Sequence, residues 1–119
     1  MKVVKIYEYA NCSTCKKALK FLLNQRYATD RIDITKKPPS LEELKEMLQI
    51  QGGNLKKLFN TAGRVYQERN LKEKLDKMTE AEALKLLSQE GRLVKRPFVL
   101  FEGKGVVGFD PKEWKKIFG

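Results

Sequence analysis

Val-Val-Lys-Ile-Tyr-Glu-Tyr-Ala-Asn-Cys-Ser-Thr-Cys, residues 3–15, is the stretch on which the reading of this chain turns. Val3 to Tyr9 is rich in β-branched and aromatic residues and poor in breakers, the composition of a buried central strand. After the Asn11-Cys12-Ser13 turn, Ala18, Leu19, Phe21, Leu22 and Leu23 recur at helical spacing and predict an amphipathic helix from about Thr14 to Gln25. The two cysteines therefore fall where a strand gives way to a helix. Unpaired backbone N–H groups and the helix dipole favour an anion there, and a thiolate is such an anion. A free cysteine titrates at about 8.5, and such surroundings lower it to roughly 3.5–7.5, which makes Cys12 a nucleophile near neutral pH. Cys15 lies one turn further in. Once Cys12 has attacked a disulfide or an oxyanion, Cys15 can release the adduct by closing the intramolecular disulfide. A Cys-x-x-Cys alone would also fit two incidental cysteines, but the strand before it and the amphipathic helix after it favour redox chemistry.

Working outward, Thr29–Ile34 reads as a second strand, which Pro38-Pro39 ends, giving a β-α-β unit with a right-handed crossover. Ser40-Leu41-Glu42-Glu43 is a capping box that opens a helix to about Leu48, and Gly52-Gly53 terminates it. Short helical pieces are expected around Asn54–Phe59 and Leu71–Asp76. A second capping box at Thr79-Glu80-Ala81-Glu82 opens a helix to about Ser88, which Gly91 is expected to end. Phe98–Phe101 and Val106–Phe109 then read as strands flanking a turn at Glu102-Gly103-Lys104-Gly105. Asp110 as N-cap and Pro111 at the first position start a last helix whose apolar face is Trp114, Ile117 and Phe118. The order β-α-β, helices, β-β-α resembles the thioredoxin-like fold: an α/β architecture with a mixed central sheet and a helical insertion at about 40–90. One domain is expected over residues 1–119.

Composition narrows the chemistry. The chain has 119 residues and no histidine, which excludes imidazole catalysis and His metal ligands. The two cysteines supply only two ligands, so a zinc or iron–sulfur site would need more from carboxylates or a second subunit, and no metal and no bound cofactor is expected. No apolar stretch is long enough for a membrane span and no signal-peptide pattern precedes the first strand, so a cytoplasmic location is expected. The net charge of +10 favours anionic partners, yet its lysines are spread in short pairs along the chain. Without a recognition helix or a basic stripe with interleaved aromatics, direct nucleic-acid binding is not expected.

Three motifs point to a family. Tyr9-x-Asn11-Cys12-x-x-Cys15-Lys16-Lys17-Ala18, then Phe59-Asn60-Thr61-Ala62-Gly63-x-x-Tyr66, then Lys95-Arg96-Pro97 followed by Val106-Val107-Gly108-Phe109, together resemble the arsenate reductase/Spx family. The likeness runs over essentially the whole chain and is nearest to the enzyme-like members of unassigned function. It implies that Cys12 is the catalytic cysteine and that Arg96, before Pro97, acts beside it. In thioredoxin-like folds a cis-proline at this point faces the dithiol, which would set the Arg96 guanidinium to hold the thiolate or bind an oxyanion. Asn11, Ser13, Lys16, Asn60, Arg64 and Pro97 are the expected substrate-binding residues, Lys16 serving either as a helper or as an ordinary surface lysine. The glutaredoxin-coupled members use two further arginines. Those places hold Asn60, with Arg64 near enough to substitute, and Phe109 or Asp110.

The expected function is thus a thiol-dependent oxidoreductase reducing a disulfide or an oxyanion such as arsenate. Glutathione with glutaredoxin, or thioredoxin, would serve as external reductant, and the protein would act as a monomer. The alternative is an Spx-like redox-sensing regulator that binds the C-terminal domain of the RNA polymerase α subunit, with Gly53 in the contact. Gly52-Gly53 is equally an ordinary helix terminator.

Overall fold

The computed structural model describes residues 2–119. In chain order the elements are β1 (Val3–Glu8), α1 (Ser13–Asn24), β2 (Ala28–Asp33), α2 (Leu41–Ile50), α3 (Arg64–Glu68), α4 (Leu71–Lys74), α5 (Glu80–Gln89), β3 (Phe98–Phe101), β4 (Lys104–Val107) and α6 (Pro111–Phe118), with 3-10 turns at Leu55–Leu58, Leu75–Lys77 and Gly91–Leu93. The sheet order is β2-β1-β3-β4. β1 pairs parallel with β2 and antiparallel with β3, and β3 pairs antiparallel with β4, so the sheet is mixed, as the sequence predicts.

Alternation along β1 sorts the core into two layers. Val4 and Ile6 face Ala18 and Leu22 of α1 and Trp114 and Phe118 of α6, joined by Val99 and Val106. Tyr7 faces the other way, into the larger cluster that holds Leu44, Met47, Leu84, Leu87 and Phe98. The expected insertion forms the outer wall of that second layer. Its helix α2 is anchored twice: Ser40 and Glu43 form the capping box, and the same Glu43 carboxylate accepts from the Tyr7 hydroxyl at 2.7 Å and from Lys5 at 3.3 Å.

Some sequence expectations need correction. The helix Arg64–Glu68 is absent from the sequence reading, because five residues are too few to show a periodicity. Asn70, in the left-handed region at φ 53°, separates it from α4. The hairpin turn is tighter than expected: only Glu102 and Gly103 lie between paired Phe101 and Lys104, both with positive φ, as a primed two-residue turn demands. β4 accordingly starts at Lys104 and ends before Phe109, whose ring packs on Phe21 and Trp114. α5 ends at Gln89, just short of Gly91. Glu90 caps the helix and Gly91 starts the next turn, pressed against β2's exit so closely that a Cβ would lie 1.6 Å from the Ile34 carbonyl oxygen. Close approach, not left-handed backbone, requires glycine there.

Candidate functional site

Cys12 is the N-cap of α1, and its Sγ accepts from the Cys15 backbone N–H at 3.4 Å. The turn is closed by the Cys12 N–H donating to the Tyr9 carbonyl at 3.0 Å. Cys12 is partly exposed, whereas Cys15 is wholly buried, and both are free thiols. Burial raises the Cys12 thiol, but hydrogen bonds from the Cys15 side chain and backbone, together with the charge and hydrogen bond of Arg96, outweigh it and hold Cys12 below the ordinary thiol value. Cys15 is pushed up to about 12, chiefly by burial, with the neighbouring Cys12 and Glu8 adding to the rise. Cys12 is therefore the more readily ionised of the two sulfurs, and Cys15 is held as the protonated reserve. Glu8, just 5% exposed, is itself balanced by Arg31, which donates to Oε1 at 2.8 and 3.0 Å.

Arg96 reaches the dithiol over the ring of Tyr9, 5.1 Å from its centroid, and the Arg96–Pro97 peptide is cis. Pro97 is buried and its carbonyl accepts from Gly108 at 2.9 Å. Asn11 lies in the loop and donates to the Tyr9 hydroxyl at 3.5 Å, and Ser13 is the exposed first residue of α1. Lys16 is exposed on that helix, the position of a surface lysine, and among the described residues its side chain forms no ion pair.

The Asn60 motif reaches the same neighbourhood through the backbone. Phe59 and Val94 form an isolated antiparallel bridge, Asn60 donates to Leu93 at 2.7 Å, and Lys95 donates to Leu58 at 2.8 Å. This short ladder lays the Asn60 turn beside the segment that leads into Arg96. Gly63 closes the turn, donating to the Asn60 carbonyl at 3.0 Å, with the Asn60 amide where a Cβ would sit. Arg64 follows as the first residue of α3. Arg64, Arg92, Arg96, Asn60 and Tyr9 thereby line one cavity of about 290 Å³. Arg92 escapes the sequence reading because no motif contains it; Gly91's approach to Ile34 is what sets it there. Phe109 and Asp110 do not line this cavity, and Asp110 is occupied as the N-cap of α6. Gly53 does not line it either. With φ 80° it lies in the terminator of α2, exposed, in a separate groove with Lys45, Leu48, Gln49 and Glu80. Among the described residues no cluster of His, Cys, Asp or Glu could hold a metal, and no helix is long and apolar enough to cross a membrane.

A mixed four-stranded sheet with a Cys-x-x-Cys at the first helix N-terminus and a cis-proline nearby defines a thioredoxin-like protein with a nearby cysteine pair. Within that class the chain belongs to the ArsC family, whose sequence profile matches residues 7–117. It is 44% identical over 110 residues to YusI of Bacillus subtilis (strain 168), an uncharacterised protein, covering 92% of this chain and 93% of that one. Regulators are more distant relatives: MgsR of the same organism is 27% identical, over 93% of this chain and 86% of its own, and Spx of Enterococcus faecalis (strain ATCC 700802 / V583) 25%, over 97% and 86%. Among solved structures, an ArsC family related protein from Bacteroides fragilis superposes with a TM-score of 0.90 at 44% identity, covering 98% of both chains. An arsenate reductase from Vibrio cholerae gives 0.83 at 27% identity, also covering 98% of both.

Proposed function

We propose that this protein is a cytoplasmic thiol-dependent oxidoreductase in which Cys12 is the nucleophile, Cys15 the resolving thiol and Arg96 the cation that steadies the thiolate. The observation that carries this is the Cys12 sulfur at the N-cap of α1, accepting the Cys15 N–H, with Cys15 buried behind it. With a disulfide substrate, Cys12 forms a mixed disulfide and expels one thiolate; Cys15 then attacks Cys12 Sγ and expels the second. With arsenate, Cys12 displaces hydroxide from arsenic, and thiol attack on its sulfur releases arsenite as two thiols become a disulfide. An external thiol system, glutathione with glutaredoxin or thioredoxin, restores the dithiol.

The test is turnover of arsenate and of a model disulfide with each reductant in turn. Cys12→Ser abolishes it, and Cys15→Ser accumulates the Cys12 adduct, visible by mass. Unchanged turnover in Cys12→Ser sinks the proposal.

A second reading, a redox-sensing regulator docking on the C-terminal domain of the RNA polymerase α subunit, draws on the likeness to Spx and on the exposed Gly53 groove. Binding of that domain, purified, in the reduced or oxidised state, lost in Gly53→Arg, supports it. No binding in either state removes it.

A further inference from the structure

The arginine cavity is larger than the dithiol chemistry requires. About 290 Å³ approaches the lower bound of roughly 300 Å³ for small-molecule pockets, room for more than a tetrahedral oxyanion at the sulfur. Cys12 is not itself among the lining residues; the cavity borders the dithiol through Arg96, whose charge acts on the Cys12 thiol, and through Tyr9, whose carbonyl accepts the Cys12 N–H at 3.0 Å. From there it runs to Arg64 and Arg92. Three guanidinium groups and no carboxylate form its walls, with Val65 and the Tyr9 ring supplying apolar surface.

The three charges are not equally spoken for. Arg92 is clamped by Glu90, through Nε at 3.1 Å and Nη2 at 2.6 Å, which orients it and leaves its Nη1 donors free. Arg64 approaches Glu68 only at 3.8 Å, beyond hydrogen-bond distance, and Arg96 forms no ion pair among the described residues. A carboxylate is the anion that two planar guanidinium forks match.

We propose that Arg64 and Arg92 form a carboxylate subsite, so that this protein selects small disulfides carrying a negative charge a few bonds from the sulfur pair. The proposal rests on the oxidoreductase reading and deepens it. The substrate's carboxylate docks between Arg64 and Arg92, its methylenes lie along Val65 and Tyr9, and the near sulfur meets Cys12. Attack forms the Cys12–substrate disulfide and releases one carboxylated thiolate, which takes a proton from water. The Cys15 thiol, giving its proton to solvent, closes the Cys12–Cys15 disulfide and releases the second. The protein dithiol supplies both electrons, and two carboxylated thiols leave.

Single-turnover oxidation of the reduced protein tests this without an added reductant. The probes are 3,3′-dithiodipropionate, bis(2-hydroxyethyl) disulfide and cystamine, which present anionic, neutral and cationic ends. Each second-order rate constant is normalised to that of free cysteine at the same pH and ionic strength. The expected order is anionic over neutral over cationic, with the anionic-to-neutral ratio about tenfold, the scale of one charge-assisted contact. Arg64→Ala lowers that ratio, Arg64→Ala with Arg92→Ala brings it near one, and Arg64→Lys, which keeps the charge without the planar fork, falls between wild type and Arg64→Ala. Raising salt to about 1 M, where the Debye length is about 3 Å, also collapses it. A wild-type ratio near one, or a ratio unchanged in the double variant, overturns the subsite while leaving the oxidoreductase reading intact. Failure of the neutral disulfide to oxidise the dithiol overturns that reading itself. Arg64 is a mostly exposed side chain, so its substitution leaves folding intact.

Discussion

Cys12 and Cys15 are three residues apart and chemically opposite, and the difference is positional. Cys12 Sγ faces the Cys15 backbone N–H and Arg96; Cys15 faces the sealed interior. Iodoacetamide therefore labels Cys12 with a rate that follows its thiolate fraction, with a midpoint below the ordinary thiol value of about 8.5, and leaves Cys15 unmodified near neutral pH. Arg96→Ala moves that midpoint upward. A midpoint at or above the ordinary value, or one indifferent to Arg96, contradicts the assignment. The two sulfurs also act oppositely on stability. Cys12, depressed in the fold, binds fewer protons than in the unfolded chain, so its contribution is present above the unfolded thiol value and lost as pH falls through the folded one. Cys15, raised to about 12, keeps its proton while the unfolded chain loses one, so stability declines as pH rises from about 8.5 toward 12. Urea midpoints measured across that alkaline range should fall in the wild type and fall less in Cys15→Ser.

At the scale of elements, α2 and the Gly91 turn show what holds the site's frame in place. Ser40→Ala removes the side-chain half of a capping box and should cost about 1 kcal/mol in urea unfolding. Glu43, the other half, is raised by burial but held lower overall by Ser40, Tyr7 and Lys5, so its stabilisation is lost as pH falls through its folded value. An acid limb of stability that survives unchanged in Glu43→Gln would show that this contact contributes nothing. Gly91→Ala is the harsher change: its Cβ meets backbone, which cannot swing aside, and a loss of at least about 2 kcal/mol is expected. Sequence carried these elements unevenly. Ser40, Thr79 and Asp110 announce their helices because capping chemistry is local, and residue spacing is enough to read it. Arg64–Glu68 and the Gly91 turn depend on partners far along the chain, the Leu93–Lys95 ladder and the Ile34 carbonyl, which leave no local signature. The same division runs through the site. Cys12, Cys15 and Arg96 stand in motifs, whereas Arg92 joins Arg64 only through tertiary approach.

At the scale of the molecule, two core layers share one sheet. Ile6 lies against α1 and α6, and Ile34, at the exit of β2, lies among the insertion's helices; both are fully buried. If the insertion were an appendage with its own stability, the layers would melt separately. The four strands argue otherwise: β1 and β3 lend alternate side chains to both layers, Ile6 and Tyr7 in one strand, Phe98 and Val99 in the other, so neither layer can dissolve without stripping the sheet of the other. Ile6→Val and Ile34→Val should each cost about 0.5–1.5 kcal/mol, and the double variant their sum to within about 0.5 kcal/mol, because the two sites lie on opposite faces and share no partner. Each should shift one common transition, seen identically by far-ultraviolet circular dichroism and by the fluorescence of Trp114, which reports only the α1–α6 layer. Two transitions, with Ile34→Val moving circular dichroism but not Trp114 fluorescence, would show instead that the insertion folds apart from the dithiol layer.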